Sequence, residues 1–200
     1  PFLAPAAGAK LVLPGADLTG KALQALIENE GITVSAGVPT VWLGLLQYLD
    51  ASGKGLGRMK STVIGGSAAP RSMIETFENR YNVRVGHAWG MTEMSPLGTY
   101  NAPTLETLSL TPEEQLDLAC KQGRAVGGVD LRVTDDEGRE LPWDGKSAGH
   151  LQVRGPWVAK AYFKNEGGNI LTDDGWFDTG DVANMDEYGF VQITDRSKDI

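Results

Sequence analysis

Thr62-Val63-Ile64-Gly65-Gly66-Ser67-Ala68-Ala69-Pro70 runs three β-prone residues into a glycine pair, three small residues and a proline. That order predicts a strand at 62–64, a loop that lets backbone approach a ligand, and a helix over 70–81. Residues 83–85 then return as a strand, and Gly86-His87-Ala88-Trp89-Gly90-Met91-Thr92-Glu93 follows as a second loop. The pattern also extends upstream. Leu23, Leu26 and Ile27 repeat at helical spacing until Gly31 stops them, and 32–35 reads as a strand. Pro39 suits the first position of a helix whose Val41, Leu45, Leu46 and Leu49 share one face. A glycine-rich loop is expected at 51–57, and residues 9–13 supply one more short apolar strand. Four strands separated by three helices predict right-handed crossovers and a parallel sheet. Both loops then leave the carboxyl ends of strands, where open α/β folds bind ligands.

Beyond Gly90 the texture changes. Residues 96–110 look irregular. Thr111-Pro112-Glu113-Glu114 carries a helix start, with Thr111 as N-cap and Glu114 three residues on. After Gly123 the runs 129–134, 150–154 and 190–194 alternate like antiparallel strands, and Asp136-Glu137-Gly138 and Glu187-Tyr188-Gly189 supply turns. The chain therefore divides into a βα parallel-sheet part over 1–100, an irregular and helical connection over 101–124 and an antiparallel part over 125–194.

Composition narrows the function classes. The 200 residues are 41% hydrophobic and 22% charged, an ordinary globular balance. Eighteen basic against 26 acidic residues give a net charge of -8 with no basic stretch, which argues against nucleic acid as a partner. No apolar run reaches the roughly 18 residues of a membrane span, and residues 1–9 lack the basic start of a signal peptide. Cys120 is the sole cysteine, so no internal disulfide forms, and a reducing, cytoplasmic setting is expected. Cys120, His87 and His150 lie too far apart for a zinc motif. Gly145-Lys146-Ser147 imitates the end of a phosphate-binding Walker loop, but Glu140 stands where the first glycine is required and no helix follows.

Four clusters carry the chemistry. In the first two, Trp89 offers a flat face to a base or an acyl group, Thr92 a hydroxyl to a phosphate, and Glu93 a hard oxygen to Mg²⁺. In Gly175-Trp176-Phe177-Asp178-Thr179-Gly180-Asp181, the Asp181 carboxylate can accept two ribose hydroxyls, although the stretch also reads as a solvated turn. The last, Asp195-Arg196-Ser197-Lys198, mixes both charges at the end of a strand. Taken one at a time, the glycines could simply turn the chain and Trp89 could simply fill core.

Taken in this order, the clusters resemble the adenylate-forming superfamily of acyl-CoA synthetases, luciferases and amino-acid-adenylating domains. Gly65 to Pro70 resembles its adenine loop, and Trp89-Gly90-Met91-Thr92-Glu93 its Tyr-Gly-x-Thr-Glu motif with Trp for Tyr. The stretch from Trp176 to Asp181 resembles its ribose motif, and residues 195–200 the start of its hinge to a C-terminal domain. Val38-Pro39-Thr40-Val41-Trp42 is similar to medium- and long-chain fatty acyl-CoA synthetases. The resemblance implies a flavodoxin-like parallel α/β subdomain followed by a small antiparallel sheet or open barrel, part of the large N-terminal domain of that fold.

The same resemblance implies an ATP-dependent ligase that makes acyl-AMP from a carboxylic acid, then passes the acyl group to CoA. It places Gly66, Ser67, Ala68, His87, Ala88, Trp89 and Gly90 against the nucleotide and Thr92 on phosphate. Glu93 holds Mg²⁺, and Asp181, Arg196 and Lys198 lie on the ribose and hinge side. Thr92 and Glu93 are the catalytic pair, and Trp42, Gly65 and Met91 border the acyl group. A phosphate loop is expected before residue 1 and a small domain after residue 200, so the 200 residues alone are expected to be inactive. An amino-acid-adenylating domain that loads a carrier protein and a non-catalytic AMP-binding module remain alternatives. Acyl length and oligomeric state, a homodimer included, stay open.

Overall fold

The computed structural model describes residues 3–196. A single helical turn, α1 (Leu3–Ala6), is followed by extended chain and then by α2 (Gly20–Glu30). The Thr19 side chain caps α2 by accepting the Ala22 N–H, and Gly31 closes it in the left-handed region with φ 61°. Strand β1 (Val34–Gly37), helix α3 (Pro39–Ser52), strand β2 (Ser61–Ile64), helix α4 (Arg71–Glu75) with a π turn over Thr76–Arg80, and strand β3 (Arg84–Gly90) come next. Strands β1, β2 and β3 are parallel neighbours, with Ser35 opposite Thr62 and Ile64 opposite His87. Leu23 and Ile27 of α2, Trp42, Leu45 and Leu49 of α3, and Met73, Ile74 and Phe77 pack with Ile64 and Val85 as one core. Each large side chain buried there contributes about 1.5–3 kcal/mol.

Three parallel strands form, not four. Residues 9–13 run extended without pairing to any described strand, and Leu13 is 75% exposed. A strand is stabilised by the ladder of its neighbour, and β1 is paired only with β2, so this short apolar run gains no partner.

The sheet is also mixed. β3 continues through Gly90, beyond the expected end at 85, and pairs antiparallel with β4 (Leu97–Tyr100) inside the stretch expected to be irregular. β4 in turn pairs with the two-residue β5 (Arg124–Ala125), giving the order β1-β2-β3-β4-β5. The glycines that suggested a loop serve here as room for neighbours. A Cβ on Gly86 would overlap the Tyr100 ring, and one on Gly90 would overlap the Pro96 carbonyl oxygen.

The connecting helix α5 (Pro112–Ala119) has the full reciprocal cap: Glu114 N–H donates to the Thr111 hydroxyl and Thr111 N–H to the Glu114 carboxylate. Arg71 ties it to α4 through Asp117 and Glu113.

The second sheet is antiparallel, in the order β6 (Asp130–Thr134), β7 (Gly149–Arg154), β8 (Phe177–Met185), β9 (Val191–Arg196). Strand β8 carries the segment expected as a turn around Asp181. Asp178, Gly180, Asp181 and Asn184 are poor strand formers, but the ladders to β7 and β9 override local preference. Trp176, just before β8, is held between the guanidinium groups of Arg132 and Arg154, 4.4 and 4.5 Å from the ring centre. The two sheets meet through residues 122–125. Gln122 N–H donates to the Val191 carbonyl (2.9 Å), Val191 N–H to the Gly123 carbonyl (2.8 Å) and Ile193 N–H to Gln122 Oε1 (2.7 Å). Among the described residues no helix is long and apolar enough to cross a membrane.

Candidate active site

The loop after β2 lies beside β3. A Cβ on Gly65 would stand 3.0 Å from the Ala88 carbonyl oxygen, tighter than most Cβ contacts, so glycine suits this close approach. Gly66 adopts φ +83°, and Gly66, Ser67 and Ala68 are exposed and can meet a ligand. The loop is anchored at its far end, where the Ala69 N–H donates to His87 Nε2 at 3.3 Å. His87 is wholly buried, and its Nδ1 finds no partner among the described residues. Burial holds its pKa below the ordinary imidazole value, only partly opposed by the nearby backbone of Ser67, Cys120 and Lys121. The structure therefore places His87 as a neutral acceptor beneath the loop, with Ala88 half-buried above it.

Trp89 is the bridge between the sheets. Its Nε1 donates to Asp181 Oδ2 at 3.0 Å, linking β3 to β8 across 92 positions. The far edge of the indole lies over Gly98, where a Cβ would come within 2.6 Å of Cζ3. The ring packs against both apolar clusters of the second sheet. What Trp89 presents to the other expected site residue is thus its N–H edge. Asp181 is only 5% exposed, and its backbone N–H donates to the Thr179 hydroxyl at 3.2 Å. Arg196 stands directly across the ladder from Asp181, whereas Lys198 lies outside the described residues.

β3 ends in a short 3₁₀ turn, Thr92–Met94, with Met94 fully buried, Met91 half-buried, Thr92 exposed and Glu93 half-buried. Glu93 Oε1 accepts the Tyr162 hydroxyl proton at 2.6 Å, and the Glu93 carbonyl accepts the Ala159 N–H at 2.7 Å. Sequence reasoning assigned nothing to Tyr162, and its glycine- and asparagine-rich surroundings carry no local signal for it. Among the described residues no group of three or more metal-ligating side chains gathers. A lone carboxylate of this kind suits Mg²⁺, which binds through one or two carboxylates plus substrate phosphates.

Trp42 is placed apart from this cluster, buried in the first core. It meets Phe77 edge-on at 6.1 Å and covers Gly37 at the end of β1, and its Nε1 has no partner among the described residues. A cavity of about 540 Å³ lies elsewhere, bordered by Glu75, Arg84, Tyr100, Asn101, Leu116 and Phe190, and includes none of the expected site residues.

The sequence model of the AMP-binding enzyme family matches residues 1–163. The chain belongs to the AMP-binding enzymes. All 200 residues of this AMP-binding enzyme align at 50% identity with a medium-chain-fatty-acid–CoA ligase of Ectopseudomonas oleovorans, spanning 36% of that protein. They align equally well, at 50%, with a 3-methylmercaptopropionyl-CoA ligase of Ruegeria lacuscaerulensis, spanning 37% of it. A solved long-chain-fatty-acid–CoA ligase of Archaeoglobus fulgidus, 28% identical, superposes with a TM-score of 0.73 over 89% of this chain and 37% of its own. The chain thus spans little more than a third of the curated relatives it matches. The family match takes in both loops of the first sheet and the Thr92–Glu93 turn. Asp181 and Arg196 lie past residue 163, within the regions aligned to the two ligases.

Proposed function

We propose that this chain supplies the nucleotide-contacting centre of an AMP-forming acyl-CoA ligase acting on a monocarboxylic, fatty-type acid. The observation that carries the reading is the Trp89–Asp181 hydrogen bond, which brings the Trp-Gly-Met-Thr-Glu motif and the ribose motif to one place between the sheets. In the reaction, a carboxylate oxygen of the acid attacks the α-phosphorus of ATP. The bond to pyrophosphate breaks, and acyl-AMP forms. The thiol of CoA then attacks the acyl carbonyl, AMP leaves with the bonding pair, and the thiol proton passes to solvent.

Each step assigns work to residues of this chain. The exposed loop at Gly66, Ser67 and Ala68 and the backbone at Ala88 form one wall for the adenine, fixed from beneath by His87. Asp181 accepts the ribose hydroxyls. The Trp89 N–H, 3.0 Å from Oδ2, orients that carboxylate. Arg196, across the ladder from Asp181, is assigned to the same side, and so, from the sequence motif alone, is Lys198. Thr92, exposed at the end of β3, donates its hydroxyl to a phosphate oxygen. Glu93 would hold Mg²⁺ bound to the ATP phosphates, and that ion, when bound, neutralises charge developing at the α-phosphorus. Gly65 and Met91 are assigned to the acyl side, as is Trp42, which stands apart in the first core with an indole N–H that has no partner among the described residues.

Residues 1–100, 101–124 and 125–194 serve in this reading as nucleotide platform, connection and ribose-side sheet, with 195–200 leading to a further domain. The single free thiol, Cys120, goes with a cytoplasmic setting.

The test is AMP release by the full-length ligase with CoA and acids of increasing chain length, together with ATP–pyrophosphate exchange. Glu93→Gln is expected to lower exchange by at least about 100-fold while the protein stays folded. Wild-type exchange by that variant would remove Glu93 from the chemistry.

A further inference from the structure

Residues 155–170, between β7 and β8, touch the proposed site at Glu93. The segment folds back onto the turn that ends β3. Val158 is buried beside Met94, Val129, Val153 and Phe177, which pins one end. Ala159 N–H then donates to the Glu93 carbonyl at 2.7 Å. Two longer bonds, from the Ser95 hydroxyl to the Trp157 carbonyl and from Trp157 Nε1 to the Leu97 carbonyl, both 3.4 Å, add to the same seam. Three residues past Ala159, the Tyr162 hydroxyl reaches Glu93 Oε1 at 2.6 Å.

Tyr162 is 43% exposed. Packing alone does not hold a ring so open to solvent, so the bond to Glu93 is what fixes its place. The donor is of the strong kind, a neutral hydroxyl on an ionised acceptor. Glu93 Oε2 receives no hydrogen bond among the described residues. One oxygen of the carboxylate is therefore occupied by the protein and the other is left over.

We propose that Tyr162 is a positioning residue for the metal-binding carboxylate: its hydroxyl fixes Glu93 in one orientation by filling Oε1, leaving Oε2 as the oxygen that meets Mg²⁺ on the nucleotide phosphates. The inference rests on the assignment of Glu93 to Mg²⁺. Outer partners that orient a ligand typically change metal affinity or activity by about 10–100-fold when removed, and a single donor on a half-exposed group belongs at the lower end of that range.

The test uses the full-length ligase, with Mn²⁺ as a spectroscopic probe for Mg²⁺. Free Mn²⁺ is titrated by electron paramagnetic resonance in the presence of ATP for wild type, Tyr162→Phe and Glu93→Gln. Tyr162→Phe is expected to weaken Mn²⁺ binding about 10-fold, to raise the Mg²⁺ needed for half-maximal pyrophosphate exchange by the same factor, and to leave the melting temperature and metal-free ATP affinity unchanged. If Glu93→Gln binds Mn²⁺ like wild type, the metal assignment falls and the proposal with it. If Glu93→Gln loses the metal while Tyr162→Phe keeps wild-type affinity, Tyr162 alone is refuted. Should Tyr162→Phe fold poorly, 3-fluorotyrosine at 162 in the otherwise native enzyme reads the same bond. Its fluorine chemical shift at fixed pH is expected to differ from that of exposed fluorotyrosine and to move toward it in Glu93→Gln. A resonance that ignores Glu93→Gln refutes the proposal.

Discussion

Trp89→Phe removes the donor that joins the two sheets while keeping an aromatic ring in place. The indole N–H lies 3.0 Å from Asp181 Oδ2, and the carboxylate is only 5% exposed, so water replaces the lost partner poorly. A hydrogen bond to a charged, buried acceptor is worth about 1.5–3 kcal/mol. The smaller ring also leaves space over Gly98, which adds a cavity cost unrelated to Asp181. The two effects separate in a double-mutant cycle of Trp89→Phe and Asp181→Ala. Urea unfolding of the 200-residue chain is expected to give a coupling of about 1.5–3 kcal/mol between the two positions. Ligand binding supplies the second arm. The Trp89 N–H orients the Asp181 carboxylate that the proposed reading assigns to the ribose hydroxyls, so its loss is expected to weaken nucleotide binding. Calorimetry on the full-length ligase is expected to show AMP bound about 5- to 30-fold more weakly by Trp89→Phe, equivalent to roughly 1–2 kcal/mol. A coupling under about 0.5 kcal/mol, within the error of independent sites, or tighter AMP binding would refute the reasoning.

Two further outcomes follow from the same sheet. Gly90→Ala drives a Cβ into the Pro96 carbonyl, a backbone atom that cannot swing aside; a loss of at least about 3 kcal/mol is expected by urea unfolding, and a loss under 1 kcal/mol would mean that β3 and β4 part easily. His87 is held neutral by burial, so its folded pKa lies below its unfolded one. The unfolded chain then binds more protons as pH falls through about 6.5, and stability declines below that pH. Melting from pH 7.5 to 5 is expected to show this decline in wild type and a flatter profile in His87→Gln; identical profiles would remove the imidazole as its source.

Much of the first sheet is legible in the sequence. Pro39 starts α3, Gly31 ends α2, and Thr111 with Glu114 builds the cap of α5, because each of these acts within one helical turn of itself. β4 and the continuation of β3 are not, since Gly86, Gly90 and Gly98 resemble loop residues until the Tyr100 ring, the Pro96 carbonyl and the Trp89 ring, in turn, fill the space beside them. β8 was hidden for a related reason. Its aspartates and glycine disfavour a strand locally, and only the ladders to β7 and β9 hold them in one. The expected strand at 9–13 failed in the opposite sense, with the right residues but no neighbour to pair with. In the proposed site, residue types single out Thr92, Glu93 and Asp181 as candidates. That Trp89 would meet Asp181 by its edge, and that Tyr162 would meet Glu93 from 69 positions away, depends on how the sheets lie together, which no local pattern encodes.

The short stretch from Gln122 to Ala125 edges one sheet at β4 and grips the other at Val191 and Ile193. Such a shared selvage denies either sheet the freedom to slide alone. A tug on β9 is handed through Gly123 to the neighbour of the Trp89 strand, so a displacement of that strand would be felt in both sheets together.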